Sequence, residues 1–483
     1  MLLLIVLFLP LAAALLTYVA GNRYAGKVAL GLSVVELGAS LALLPAYNNA
    51  DAFNISFMKE WIQNPHINFH IALDGLSLLL LLLTTFLVPV IILSSVSKEV
   101  ENARSLYALI LLMQFALIGV FISMDGFLYY IFWELALIPI YFIALLWGDN
   151  RDKEFRNRAI FKFFVYTLAG SLFMLLGFIY LYQHADGFGV SELYGLNLSD
   201  KEQSFLFWAF FVAFAIKIPV FPFHTWQPDT YKEAPSAGTM LLSGIMLKMG
   251  IYSLLRWLLP VLPQGTLTWT PVVLVLCAIG IIYGSVIAIR QNDLKKLFAY
   301  SSLAHVGLIT AGIFTLTREG FQGAVVQMLA HGVNVVGLFF AAEIIFRRTG
   351  TLEISKLGGI RNVAPVFATA LMILTLASVG LPTTNGFIGE FLLLYGVYEY
   401  NTWLAVVAGL TIILGAVYML RMYQHVMLGE TKEATHSFSD LSLSELAVFV
   451  PLIVAIFLFG VYPKPIMQLA QPALETILNY SLR

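Results

Sequence analysis

The sequence predicts an all-α polytopic membrane protein, with about 14 transmembrane helices and two inverted five-helix repeats, each containing one broken helix. Three observations lead to that expectation. Of 483 residues, 60% are apolar and only 11% are charged, against about 25% charged in a soluble protein. The apolar residues gather into runs of the length, about 20 residues, that a helix needs to cross a bilayer. Two of those runs are interrupted by proline and glycine in mid-membrane. Such a composition excludes a soluble globule, a disordered chain and a fibrous protein. With 27 basic against 28 acidic side chains, the balance also argues against a nucleic-acid binder, leaving the lipid bilayer as the surrounding partner.

The first run, 1–20, has no basic residue before it and Arg23 and Lys27 after it. A signal peptide has the reverse charge order, so this run is expected to be the first membrane helix. Further runs follow at 28–47, 71–95, 105–123, 126–147, 160–183, 204–223, 236–260, 271–290, 296–314, 320–346, 363–400, 402–428 and 446–466. Loop charges supply a check. With the N-terminus outside, seventeen basic residues fall inside, among them Lys98, Arg104, Arg290 and Lys432, and five fall outside: Lys59, Lys201, Arg318, Lys464 and Arg483. That asymmetry places both termini on the outer side, periplasmic in a bacterial inner membrane. Cys277 is the single cysteine; no disulfide framework, zinc cluster or iron–sulfur site is expected from it, and it reads as a small buried apolar residue.

The seventh run reads AIKIPVFPFH, where Pro219 and Pro222 remove backbone donors. The twelfth reads SVGLPTTNGFIGE, where Gly380, Pro382, Asn385 and Gly386 interrupt a regular helix. The breaks lie five crossings apart, at matching places in two units of opposite direction, a pattern that points to a transport path at the bilayer midplane. The expected organisation is therefore 1–104 for helices 1–3, 105–260 for the first five-helix unit, 261–430 for the inverted second unit, and 431–483 for the C-terminal loop and helix 14.

Ionisable residues lie deep in these runs: Glu134, Lys217, Lys248, His305, His331 and Glu390. Each acid or lysine costs about 2.5–3.5 kcal/mol at the bilayer centre, so such groups persist when they face one another, water or a function. All six fall near one depth, counted from the ends of their own runs. A row of acid, amine and imidazole groups is what lateral proton hopping requires, since each site holds or releases a proton and shifts its neighbours. Plainer readings stand beside this one. Glu134 and Lys217 form a structural pair; the histidines are hydrogen-bonded packing residues; Glu390 caps the second half of a broken helix. Arg256 and Arg421, near run ends, are expected to snorkel. Glu36, Asp74, Lys162 and Glu343 are weaker candidates. His305 and His331, on consecutive antiparallel helices, also have the spacing of a haem clamp, although the charged row argues against it. No dinucleotide, phosphate-loop or zinc-hydrolase motif is present.

The stretch FHTWQPDTYKEAPSAGTMLLSGIMLKMGIYSLLR from Phe223 to Arg256 resembles the signature of the antiporter-like membrane subunits of respiratory NADH:quinone oxidoreductase, complex I. The WEL at Trp133, IKIPVFPFH at Ile216, AYSSLAHVG at Ala299, LAHGVNVVGLFF at Leu329 and GLPTTNGFIGEF at Gly380 fit the same family. These blocks cover most of the chain from about 105 to 430. Most relatives carry lysine after the twelfth-helix break; Glu390 resembles the subunit M (chain 4) branch instead. Tyr231 stands where the family commonly has histidine. The resemblance implies that Glu134 and Lys217 form the coupling acid–base pair, Lys248 the central relay, His305 and His331 its continuation, and Glu390 the terminal exchange site. It implies no cofactor on this chain, with NADH, FMN, iron–sulfur clusters and quinone in partner subunits. The partners it implies are the other membrane subunits, including two paralogous antiporter-like ones. A subunit of a multisubunit sodium/proton antiporter or of a membrane-bound hydrogenase is the nearest rival.

Overall fold

The computed structural model describes residues 1–49, 53–96 and 99–482; Lys98 and Arg483, counted among the loop charges, lie outside the described residues. The chain opens with α1 (Leu2–Val19) and α2 (Gly21–Leu41), joined through Ala20 alone. A β-hairpin follows, β1 (Ile55–Ile62) antiparallel to β2 (Ile67–Leu73), with Ile55 opposite Leu73. The hydropathy runs do not anticipate it, because its strands are short and carry polar residues. Next come α3 (Gly75–Val96), α4 (Ala103–Ile122), α5 (Gly126–Trp147) and α6 (Lys153–Tyr182). Aspartates start two of these: Asp74 accepts the Ser77 N–H at 2.8 Å, and Asp125 accepts from Phe127 and Leu128, satisfying N–H groups that a helix start leaves unpaired.

After a single turn, α7 (Val190–Leu193), α8 (Asp200–Lys217) begins in a Ser199/Glu202 capping box. It ends at Lys217, just before Pro219 and Pro222, where the interruption was expected. Short α9 (Gln227–Glu233) and α10 (Ser236–Leu241) resume the path. A π turn (Leu242–Met246), α11 (Leu247–Ser253) and a second π turn (Leu254–Leu258) complete the span. The rest is α12 (Pro263–Arg290), α13 (Leu294–Phe314), α14 (Arg318–Thr349), one turn α15 (Ile360–Val363), α16 (Pro365–Ser378), α17 (Asn385–Tyr400), α18 (Thr402–Met427) and α19 (Leu443–Val461). The twelfth run is thus split at 379–384. Amphipathic α20 (Lys464–Ser481) closes the chain. It lies beyond the last apolar run and was not anticipated.

Among the described residues, 12 helices are long and apolar enough to cross a membrane. Outside that number stand α8, which carries Asp200, Lys201, Glu202 and Lys217, and the split α16–α17 pair. The chain divides into two compact units: Met1–Pro219 with Ile245–Val272 and Met467–Arg483, and Val220–Gly244 with Val273–Ile466. The first has an aromatic core in which Trp257 lies 5.1 Å from Tyr129 and 5.5 Å from Phe178, with Phe210 4.9 Å from Phe178. In the second, α13 and α14 are buried along nearly their whole length, whereas α18 and α19 leave most of their apolar surface uncovered. A helix apolar on every side is an inner one when covered and faces lipid when it is not.

Candidate functional site

In the first unit, α5 places Glu134 beside Trp133, half-buried and within reach of the Ser171 hydroxyl on α6. Lys217, the last residue of α8, is 2% exposed. Its Nζ stands over the Trp133 ring, 5.3 Å from the centroid, and makes no hydrogen bond to a described residue. Glu134 and Lys217 act on each other electrostatically. Lys248 lies on α11 between the two π turns and is fully buried. Its helix is brought onto the end of α8 by Gly250. A Cβ there would stand 3.0 Å from the Phe214 carbonyl oxygen and 3.1 Å from the Ile218 nitrogen, so a residue without one suits this close approach. The two lysines therefore sit on directly packed helices, at the place where α8 breaks.

In the second unit, His305 on α13, His331 on α14 and Glu390 on α17 come together. His305 Nδ1 lies 3.2 Å from Glu390 Oε1, and Gln327 Nε2 donates to the same oxygen at 3.3 Å. The two imidazole rings meet edge to face, with centroids 6.1 Å apart. Ser301, Gln327, Asn334 and Ser378 join them around a cavity of about 10 Å³, room for about one water with several polar partners. That space does not admit a macrocycle, so these residues do not fit a haem. Glu390 is the sixth residue of α17 and does not cap it, contrary to the plainer expectation. It folds back under the helix break, where Gly380 (φ +74°) leaves room for the carboxylate. A Cβ on Gly380 would fall 2.5 Å from Glu390 Oε2.

Arg256 corrects another expectation. It does not snorkel: its guanidinium is buried and paired with the Asp74 carboxylate at the head of α3. The Tyr252 hydroxyl lies 3.3 Å from its Nε. A counter-charge inside the protein removes any need to reach water. Arg421 is exposed, as expected of a residue at a run end. Of the weaker candidates, Glu36 is 1% exposed on α2, and Glu343 accepts a 2.5 Å hydrogen bond from the Ser236 hydroxyl. The Lys162 ammonium stands 5.6 Å from the Tyr166 ring centroid.

Sequence reasoning missed Gln327, Asn334 and Ser301. Their signal was helical spacing: Gln327 and Asn334 stand four before and three after His331, and Ser301 stands four before His305, each pair on one helix face.

With this geometry in place, comparison with known proteins decides the kinship. A family model described as "NADH:quinone oxidoreductase/Mrp antiporter, TM" matches residues 123–415. The chain belongs to this family. All six candidates, from Glu134 to Glu390, fall within the matched residues. Similar relatives include NADH-quinone oxidoreductase subunit M of Rickettsia typhi, 40% identical over 488 residues and 98% of each chain. Subunit M of Rhodobacter capsulatus is also 40% identical, over 500 residues that cover 99% of this chain and 96% of its own. Among solved structures, a chain of respiratory complex I from Thermus thermophilus with bound NADH superposes with a TM-score of 0.92, at 31% identity and covering 100% of both chains. The family likeness thus extends beyond the central helices to both ends of this sequence.

Proposed function

We propose that this chain is the subunit M of an NADH:quinone oxidoreductase and that it carries protons across the membrane on its buried carboxyl, amine and imidazole groups. It is a multi-pass membrane subunit of that enzyme. Glu134 and Lys217 form the coupling pair and Lys248 the relay; His305 and His331 continue it, and Glu390 exchanges the proton. Electrons pass from NADH through FMN and iron–sulfur clusters to quinone in partner subunits, and the paralogous antiporter-like subunits are among its membrane neighbours. Both termini face the outer, periplasmic side, as the loop charges favour.

The observation that best supports this reading is the His305–Glu390 contact at 3.2 Å beside a polar cavity, buried among the helices of the second unit. Groups of that kind are costly in a membrane and are kept where they face a pathway. The required energy is modest, since moving one charge against 100 mV takes about 2.3 kcal/mol.

A second reading follows from the family description itself, which includes Mrp antiporters: a cation/proton antiporter subunit with no redox partner. One experiment separates the two. A tag on this chain, with mild extraction from its own membrane, retrieves flavin and iron–sulfur absorbance together with NADH:quinone reductase activity if the first reading holds. Retrieval of antiporter-like subunits alone, without either, overturns it.

A further inference from the structure

A basic cavity opens at one membrane edge of the second unit, formed where α12 ends, α13 begins and α18 ends. It has a volume of about 310 Å³, and its wall includes Arg290, Arg421 and His425, with Gln291, Asn292 and Ser355 between them and no acid. The acids closest in sequence are engaged elsewhere: Asp293 accepts the Lys296 N–H at 3.0 Å, and Glu353 holds Lys356 Nζ at 2.9 Å. Arg421 donates from its Nη1 to the Ile289 carbonyl at 3.4 Å.

Each arginine stands at the water end of an uncovered apolar stripe. On α12 the stripe is Val286, Ile282 and Ile279; on α18 it is Leu420, Val417 and Ile413, all exposed. These positions recur at helical spacing, so each stripe runs from its arginine toward the membrane interior. Basic pockets of this kind between membrane helices attract lipid headgroups that carry negative charge. We propose that this cavity binds the phosphate headgroup of an anionic phospholipid, whose acyl chains lie along α12 and α18. A free phosphate uses the arginines and leaves the stripes idle, and a zwitterionic lipid uses the stripes and gains little from two guanidinium groups. An anionic lipid uses both.

The test uses the intact extracted complex in phosphatidylcholine vesicles, with a trace of photoactivatable phosphatidylglycerol or, in a parallel sample, photoactivatable phosphatidylcholine. Peptides from the ends of α12 and α18 are then mapped by mass spectrometry. The phosphatidylglycerol probe labels these peptides far more than its phosphatidylcholine counterpart, and excess inorganic phosphate does not displace it. The R290Q/R421Q double variant loses labelling about thirty-fold, the equivalent of about 1 kcal/mol for each arginine removed, whereas R290K/R421K retains most of it. Equal labelling by both probes, displacement by inorganic phosphate, or wild-type labelling of R290Q/R421Q overturns the proposal. Should R290Q/R421Q not assemble, the two wild-type comparisons decide by themselves.

Discussion

Glu134→Gln tests the coupling pair most directly. Lys217 is 2% exposed, its Nζ makes no hydrogen bond to a described residue, and Glu134 is the acid that acts on it. Removing one partner of a buried pair costs about 3–5 kcal/mol, because the other charge is left without compensation. Glu134 is half-buried, so the lower end applies, about 3 kcal/mol. That cost falls on whichever step needs a charged Lys217, and at about 1.4 kcal/mol per tenfold it slows the step about a hundredfold. The fold is spared, since glutamine keeps the shape of the side chain and the lysine escapes the penalty by losing its proton. The assay is NADH-driven fluorescence quenching in inverted membrane vesicles, with native gels to show that the complex is assembled. Glu134→Asp, which keeps the charge, recovers part of the rate. An assembled Glu134→Gln enzyme that pumps at nearly the wild-type rate refutes the reasoning.

The remaining predictions follow from the same geometry. Glu390→Gln and His305→Gln act on one contact, so their losses in pumping are less than additive in the double variant; simple additivity in a double-mutant cycle would remove the pairing. Gly250→Ala drives a methyl group against the Phe214 carbonyl and Ile218 nitrogen, lowering stability by about 1–3 kcal/mol, read as a fall in the thermal midpoint of the extracted complex. Arg256→Met leaves Asp74 buried and unpaired at a cost of about 3–5 kcal/mol, and Asp74→Asn in the same chain restores most of it. His70 on β2 has its pKa lowered from 6.5, by burial against a smaller opposing pull from Glu192. Its neutral form is the one the folded hairpin favours. The stabilisation is therefore present above pH 6.5 and lost as pH falls below it. Protease susceptibility of the hairpin should rise on acidification in the wild type and change little in His70→Gln.

How much of this was readable beforehand depends on what each feature rests on. The long helices come from hydrophobic length, which a single strand of text displays, and Pro219 and Pro222, two prolines within four residues, mark a break where single prolines such as Pro89 and Pro139 stay inside their helices. The hairpin at Ile55–Leu73 depends on pairing between two short, half-polar strands, which leaves no trace in hydropathy. Amphipathic α20 has apolar residues on one side only and so never forms a run. At the site, Glu390 and His305 were visible as isolated costs in an apolar background, but their contact was not, because 85 positions separate them in the chain. Arg256 was misread for the same reason: its partner Asp74 belongs to a distant helix, and only the folded chain shows that the guanidinium has no reason to leave.

The small chamber lined by the two imidazoles has a bearing on what the proposed route carries. A space that takes a single water passes hydrogen nuclei by handing them from one oxygen or nitrogen to the next, with no net travel of the carrier. A hydrated sodium ion entering the same place must first shed most of its shell, and the few side-chain oxygens lining it do not replace that coordination. Under the proposed proton-carrying function, selectivity for H⁺ over Na⁺ in this half of the molecule would follow from confinement and need no dedicated filter.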